Sequence, residues 1–184
     1  MNYFLEMIKK RRSIRKYKPE KVERDKINKI MQSALLSPSG KNINPWKFVT
    51  VEDKEVLLEL SKAKTGGSQF LAEAPLAVVV LADPEKTDIW IEDASIAATM
   101  IMLSAQDSGL GSCWIQIRNR MHKDNIESGK YVKEVLKIPD NLTVLCIIAI
   151  GYPDEKKPDK CIDDMKWNDV FMNTFGNKIA RQKN

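Results

Sequence analysis

Between Ala94 and Ala105 the chain carries twelve consecutive residues without a charge, nearly all apolar or small. The stretch lies inside a predicted helix over Thr87–Asp107, with Gly109 placed to end it. A helix that is apolar nearly all round must be enclosed on every side. One small domain seldom encloses a helix of this length, which points to a second copy of the chain packed on it. A core helix wholly inside one domain is the other reading, and both stay open at this point. The 184 residues fit a single domain spanning 1–184, with residues 172–184 as a polar tail. With 43% hydrophobic and 30% charged residues, the composition is that of a globular chain rather than a disordered one.

The other elements follow from local patterning. Tyr3 to about Arg11 reads as a short helix with Phe4, Leu5 and Ile8 on one face. Val22–Leu36 reads as an amphipathic helix, because Ile27, Ile30, Met31, Ala34 and Leu35 recur at helical spacing; Pro38 stops it. Lys54–Lys64 and Tyr131–Lys137 are further helices. Strands are expected at Trp46–Val51, Leu76–Ala82, Gly111–Ile117 and Leu142–Tyr152, the second of them buried on both faces. Pro153–Lys166 is polar and irregular, and Trp167–Phe171 a small apolar anchor. Helices and strands mix without a regular βαβ rhythm, so the class is α+β.

Several functions are excluded. The longest apolar runs, Pro75–Ala82 and Val144–Ile150, are far shorter than the ~20 residues of a membrane span. The N-terminus is apolar first and basic afterwards, the reverse of a secretory signal, so a cytoplasmic protein is expected. Cys113, Cys146 and Cys161 fit neither a disulfide framework nor a zinc site. His122 is the only histidine, and there is no nucleophile elbow, P-loop or dinucleotide fingerprint, which makes triad hydrolysis a poor fit.

The positive charge is local. Thirty Lys and Arg stand against twenty-five Asp and Glu; seven of the basic residues fall between Lys9 and Lys18, and without them twenty-three face twenty-five. Lys9 and Lys10 suit a solvated helix C-terminus. Arg11, Arg12 and Arg15 suit a phosphate better, because the guanidinium fork matches it with paired hydrogen bonds. A basic nucleic-acid module is the distant alternative, supported by charge alone.

Three segments belong together: Arg11-Arg12-Ser13-Ile14-Arg15, the loop Ser37-Pro38-Ser39-Gly40-Lys41-Asn42-Ile43-Asn44-Pro45-Trp46, and the strand entry Gly109-Leu110-Gly111-Ser112-Cys113-Trp114-Ile115-Gln116. Their order and spacing resemble the FMN-dependent nitroreductase family, from about residue 8 to residue 171. The long Ala/Met helix before the third segment and the Ile150-Gly151-Tyr152-Pro153 stretch add to the likeness.

The resemblance implies a three-layer α/β/α fold with a mainly antiparallel central sheet, in an intertwined homodimer that binds FMN at the subunit interface. It places Arg11, Ser13 and Arg15 at the phosphate and ribityl chain and Arg12 near the N1/O2 edge of the ring. Pro38, Ser39, Gly40 and Asn42 would come from the other subunit. Trp114, Ile115 and Gln116 would present backbone near N5, although the family often has glycine where Gln116 stands. Lys157 and Lys160 would reach the phosphate again, and Gln69 is a further flavin contact. The implied activity is oxidoreduction: NAD(P)H transfers hydride to FMN, and a nitroaromatic or quinone then takes the electrons in a ping-pong cycle. No side-chain nucleophile or resident metal is needed, since the flavin carries the chemistry and a fixed cation near N1 favours the charge that hydride transfer places there. A flavin-binding protein of the same fold with a different, or no, nicotinamide-linked reaction is the alternative.

Overall fold

The computed structural model describes residues 2–179. Helix α1 (Tyr3–Lys10) starts where the Asn2 side chain accepts a hydrogen bond from Leu5 N–H at 3.3 Å. Helix α2 (Arg24–Leu35) begins two residues later than its periodicity predicts, and Val22 is buried ahead of it. Strand β1 (Trp46–Val51) leads into α3 (Lys54–Ser61), capped by Asp53, whose carboxylate accepts from Glu55 and Val56 N–H at 2.8 and 3.2 Å. A 3₁₀ turn that patterning misses, Gln69–Glu73, precedes β2 (Leu76–Ala82).

Helix α4 (Trp90–Asp107) is followed by β3 (Gly111–Gln116), α5 (Ser128–Leu136) and β4 (Thr143–Gly151). The end of α4 is set by Gly109, whose φ of 76° turns the chain so that Leu110 N–H bonds back to Ala105 C=O at 2.9 Å. Helix α5 starts three residues before its sequence-based start, because Ser128 and Gly129 are weak helix formers that obscure the first turn. It stops at Lys137, which takes the left-handed conformation usually given to glycine.

The sheet order is β1-β2-β4-β3 and every ladder is antiparallel. All seven residues of β2 are buried, as are eight of the nine in β4, because these two strands are central and covered on both faces. One face packs Val78, Val80, Ile148 and Ile150 against Ile27, Ile30 and Ala34 of α2 and Ala94, Ala98, Ile101 and Ala105 of α4. The other packs Ala77, Val79, Ile147 and Ala149 against Leu57 and Leu60 of α3 and Val132 of α5. The result is a helix–sheet–helix sandwich of the α+β class.

Within one protomer α4 is not enclosed. Its Ala-rich side is buried, but Ile96 is 40% exposed, Thr99 is open and Met100 and Leu103 are half-buried. Tyr3, Phe4, Leu35, Leu36 and Phe175 are exposed as well. The C-terminal segment carries a short 3₁₀ turn, Trp167–Asp169, and a bridge from Phe171 to Lys178; residues 180–184 of the predicted polar tail lie outside the described residues.

Candidate active site

The basic segment does not float. Ser13 pairs in parallel with Ser112, and Ile14 N–H donates to Ser112 C=O at 3.0 Å, so residues 13–14 extend the sheet beyond edge strand β3. Ile14 and Tyr17 are buried and anchor it; the Tyr17 hydroxyl donates to Ile14 C=O at 2.6 Å, and burial pushes its pKa far above the ordinary tyrosine range. Close approach requires Gly111: a Cβ there would sit 2.8 Å from Cβ and Cγ1 of Ile14.

Because the Ser112 carbonyl is bonded outward to Ile14, the alternation of an antiparallel strand turns the backbone groups of Trp114 and Gln116 outward too. Ile115 therefore directs its backbone at β4 and its side chain into the core. The Trp114 indole donates to Gln116 Oε1 at 2.9 Å, and the Gln116 amide donates to Arg118 C=O at 2.9 Å, which ties these side chains back along their own strand. Ser13–Ile14 pairs with the start of this edge, and the Trp114 C=O accepts the Cys113 thiol at 3.7 Å.

Cations gather at the start of this edge. Cys113, buried in β3, lies close enough to Arg15, Lys157 and Arg11 for their charges to oppose the upward push that burial gives its thiol, with the Ser13 hydroxyl also beside it. Lys157 donates to Ser13 C=O. The Arg15 guanidinium stands 5.8 Å from the ring centre of Phe70, which brings the Gln69 turn to the same place. The Gln69 side-chain oxygen accepts from Gly67 and Ser68 N–H at 2.9 and 3.2 Å.

Two predicted residues are placed differently from the rest. Arg12 donates to Pro158 C=O and lines a groove of about 270 Å³ together with Lys10, Glu155, Lys156 and Lys157. Lys160 is exposed and lies beside Lys9, to whose carbonyl its backbone N–H donates at 3.0 Å. Glu155 is a residue that sequence reasoning missed. Its carboxylate accepts Arg15 N–H at 2.5 Å and Lys16 N–H at 3.2 Å and pairs with Lys157 at 3.3 Å, and the Arg15 N–H bond in particular holds its pKa below the usual glutamate range. Only its position two residues before Lys157 hints at this.

The Pro38–Asn42 loop lies elsewhere. Lys41, Asn42 and Asn44 are left-handed, with φ of 50°, 57° and 52°. Ser39 Oγ accepts Asn44 N–H at 3.0 Å, and the Asn44 amide donates to Asn42 Oδ1 at 3.1 Å. Gly40 N–H donates to Asp93 in the first turn of α4 at 3.0 Å. Ser13, by contrast, is bonded just beyond the last turn of α4. Fourteen residues of helix separate Asp93 from Asp107, about 21 Å at 1.5 Å per residue. The two predicted segments therefore lie at opposite ends of α4.

The fold and site are those of a small helix–sheet–helix domain with a cation-flanked sheet edge. The chain belongs to the Nitroreductase family, whose model matches residues 8–67 and 56–152. It is similar to an FMN-dependent nitroreductase structure from Clostridium difficile R20291, at 54% identity and a TM-score of 0.91, covering 93% of this chain and 99% of that one. It is also 39% identical to a provisionally named NADH dehydrogenase/NAD(P)H nitroreductase of Archaeoglobus fulgidus, over 89% of this chain and 93% of that protein. The FMN reductase (NADPH) of Bacillus subtilis is 27% identical over 86% of this chain and 70% of its own. This chain is accordingly an oxidoreductase.

Proposed function

We propose that this protein is a homodimeric, FMN-dependent NAD(P)H oxidoreductase that reduces acceptors such as nitroaromatics or quinones in two half-reactions. The observation that carries the reading is the sheet edge at Ser112–Gln116, with outward backbone and a cation cluster at its head. The residues present suit the cofactor. Arg11, Arg15, Lys157 and the Ser13 hydroxyl offer the charge-assisted donors that a phosphate dianion requires. The backbone of Trp114 and Gln116 offers the flat, polar edge against which a ring can lie. FMN, when bound, supplies the hydride acceptance and electron delivery that no side chain here can provide.

The protein's own contribution is to bind, orient and exclude. Glu155 fixes the course of Arg15 and Lys16 through their N–H groups and positions Lys157. Gln69, beside Phe70, and Lys160, beside Lys9, are assigned to the outer margin of the site. Arg12 is assigned to holding the Pro158 carbonyl.

The dimer rests on two features. The half-sites at opposite ends of α4 serve one ligand only if the Pro38–Asn42 loop of a second copy supplies the missing half. The second is exposed apolar surface: Ile96 on α4 is 40% exposed, and Leu36 and Phe175 elsewhere are 81% and 93% exposed. Among the described residues no helix is long and apolar enough to cross a membrane, and an exposed free thiol at Cys161 suits a reducing cytoplasm.

Initial rates measured while varying NADPH and a quinone test the cycle: parallel double-reciprocal lines are expected, and an intersecting pattern counts against two separate half-reactions. Sedimentation equilibrium should give about twice the 21.0 kDa chain mass, and a monomer would break the shared site.

A further inference from the structure

Asp93, in the first turn of α4, is a carboxyl-bearing side chain only 2% exposed. Its neighbours Ala94, Ala97 and Ala98 are fully buried. One oxygen accepts the Gly40 N–H at 3.0 Å; the other, Oδ2, is buried with no hydrogen-bond partner among the described residues. Burying a carboxyl group for a single backbone donor is unfavourable, since an apolar residue of similar volume would pack there without an unsatisfied oxygen. Its position therefore calls for a task beyond packing.

That task lies in the Ser39–Asn44 loop. Three left-handed residues crowd into six positions, none of them glycine. Within the loop, Asn42 N–H reaches Ser39 C=O at 3.1 Å, Ile43 N–H reaches Gly40 C=O at 3.1 Å, and Asn44 N–H reaches the Ser39 hydroxyl at 3.0 Å. All of these bonds are local to the loop. The Asp93–Gly40 bond spans 53 positions of sequence and ties the loop to α4. Ile89 Cδ1 presses where a Gly40 Cβ would stand, so the loop approaches α4 closely enough for the N–H to reach.

We infer that Asp93 is a positioning residue for the cofactor: it fixes the Gly40 turn on α4, so that the loop is presented to the flavin site of the opposite subunit in one orientation. The inference rests on the flavin reading given above. It concerns a residue that touches no ligand itself and acts only through Gly40.

The test compares wild type, Asp93→Ala and Asp93→Asn by FMN titration, thermal unfolding and amide exchange. In the wild type the Gly40 amide should exchange more slowly than that of Lys41. In Asp93→Ala that protection should vanish and FMN should bind about ten-fold more weakly. Asp93→Asn keeps an acceptor oxygen and should restore both. An Asp93→Ala protein that melts earlier yet binds FMN as the wild type does would reduce Asp93 to a packing role and overturn the inference. So would a wild-type Gly40 amide no slower than Lys41, a result that needs no variant to fold. A wild type that takes up no FMN at all would instead sink the flavin reading, and the affinity half of this inference with it.

Discussion

The two ends of α4 solve one problem in different ways. At the C-terminal end, Arg11–Arg15 is stitched to β3 by backbone bonds, backed by buried Ile14 and Tyr17 and clamped by Glu155 and Lys157. At the N-terminal end, the Ser39–Asn44 loop holds itself together locally and meets the helix through Gly40 N–H on Asp93 and the press of Ile89. A phosphate needs fixed charge, and the sheet supplies a fixed frame for it. Under the proposed function, the loop reaches to another subunit and needs a defined orientation more than a deep foundation. The difference teaches that rigidity is concentrated where charge must be held still.

Glycine substitutions should expose the contrast most strongly. Gly111→Ala forces a Cβ against the branched base of the buried Ile14 side chain, with contacts of 2.8, 2.8 and 3.0 Å. Thermal or denaturant unfolding should show a loss of roughly 1–3 kcal/mol, as for other overpacked sites, along with poor FMN uptake. Gly40→Ala meets the flexible tip of Ile89 at 2.3 Å, a side chain 40% exposed that can swing away, so its stability loss should be under about 1 kcal/mol. Equal losses at the two positions would erase the distinction drawn here.

Arg11→Ala sharpens the comparison from the ligand side. Removing a charge-assisted contact should weaken FMN binding by about 1.5–3 kcal/mol while leaving the unfolding midpoint nearly unchanged. An unaltered FMN titration would remove Arg11 from the site.

Thiol reactivity probes how closed the cationic end is. Cys161 is exposed, whereas Cys113 and Cys146 are buried and burial pushes both thiols up. At neutral pH a thiol reagent should modify one cysteine per chain quickly and the other two only on unfolding. Rapid labelling of Cys113 would mean that the Arg11–Arg15 segment lifts from β3.

The smallest effect concerns Glu155. Its carboxylate is held below the usual glutamate range, chiefly by the Arg15 N–H, so its stabilisation is complete above that range and fades as pH falls through the lowered folded value. Below about pH 4 the wild type should lose slightly more stability than Glu155→Gln, and unfolding curves that run parallel through that range would deny the clamp.

Much of the sheet was legible in the sequence, because β2 and the centre of β4 are unbroken apolar runs that only a two-sided burial explains. The α4 pattern was legible too: among the described residues the helix is open on one side, at Ile96 and Thr99. Helix starts were read less well. Ser128 and Gly129 carry no apolar signal, and the 3₁₀ turn at Gln69–Glu73 has no period to detect. The cation segment announced itself by composition, but the turning of Arg12 toward Pro158 did not, since it depends on a strand pairing with residues a hundred positions away. Asp93 and Glu155 were invisible for the same reason. Each acts through a backbone N–H distant in sequence, and no spacing rule marks such a pair.

The most direct test of the central claim is the visible absorption spectrum of the purified protein, recorded before and after anaerobic NADPH. The account predicts flavin bands that bleach on addition of the nucleotide, which would establish the cofactor and the first half-reaction together. A colourless protein that also failed to take up added FMN would contradict it.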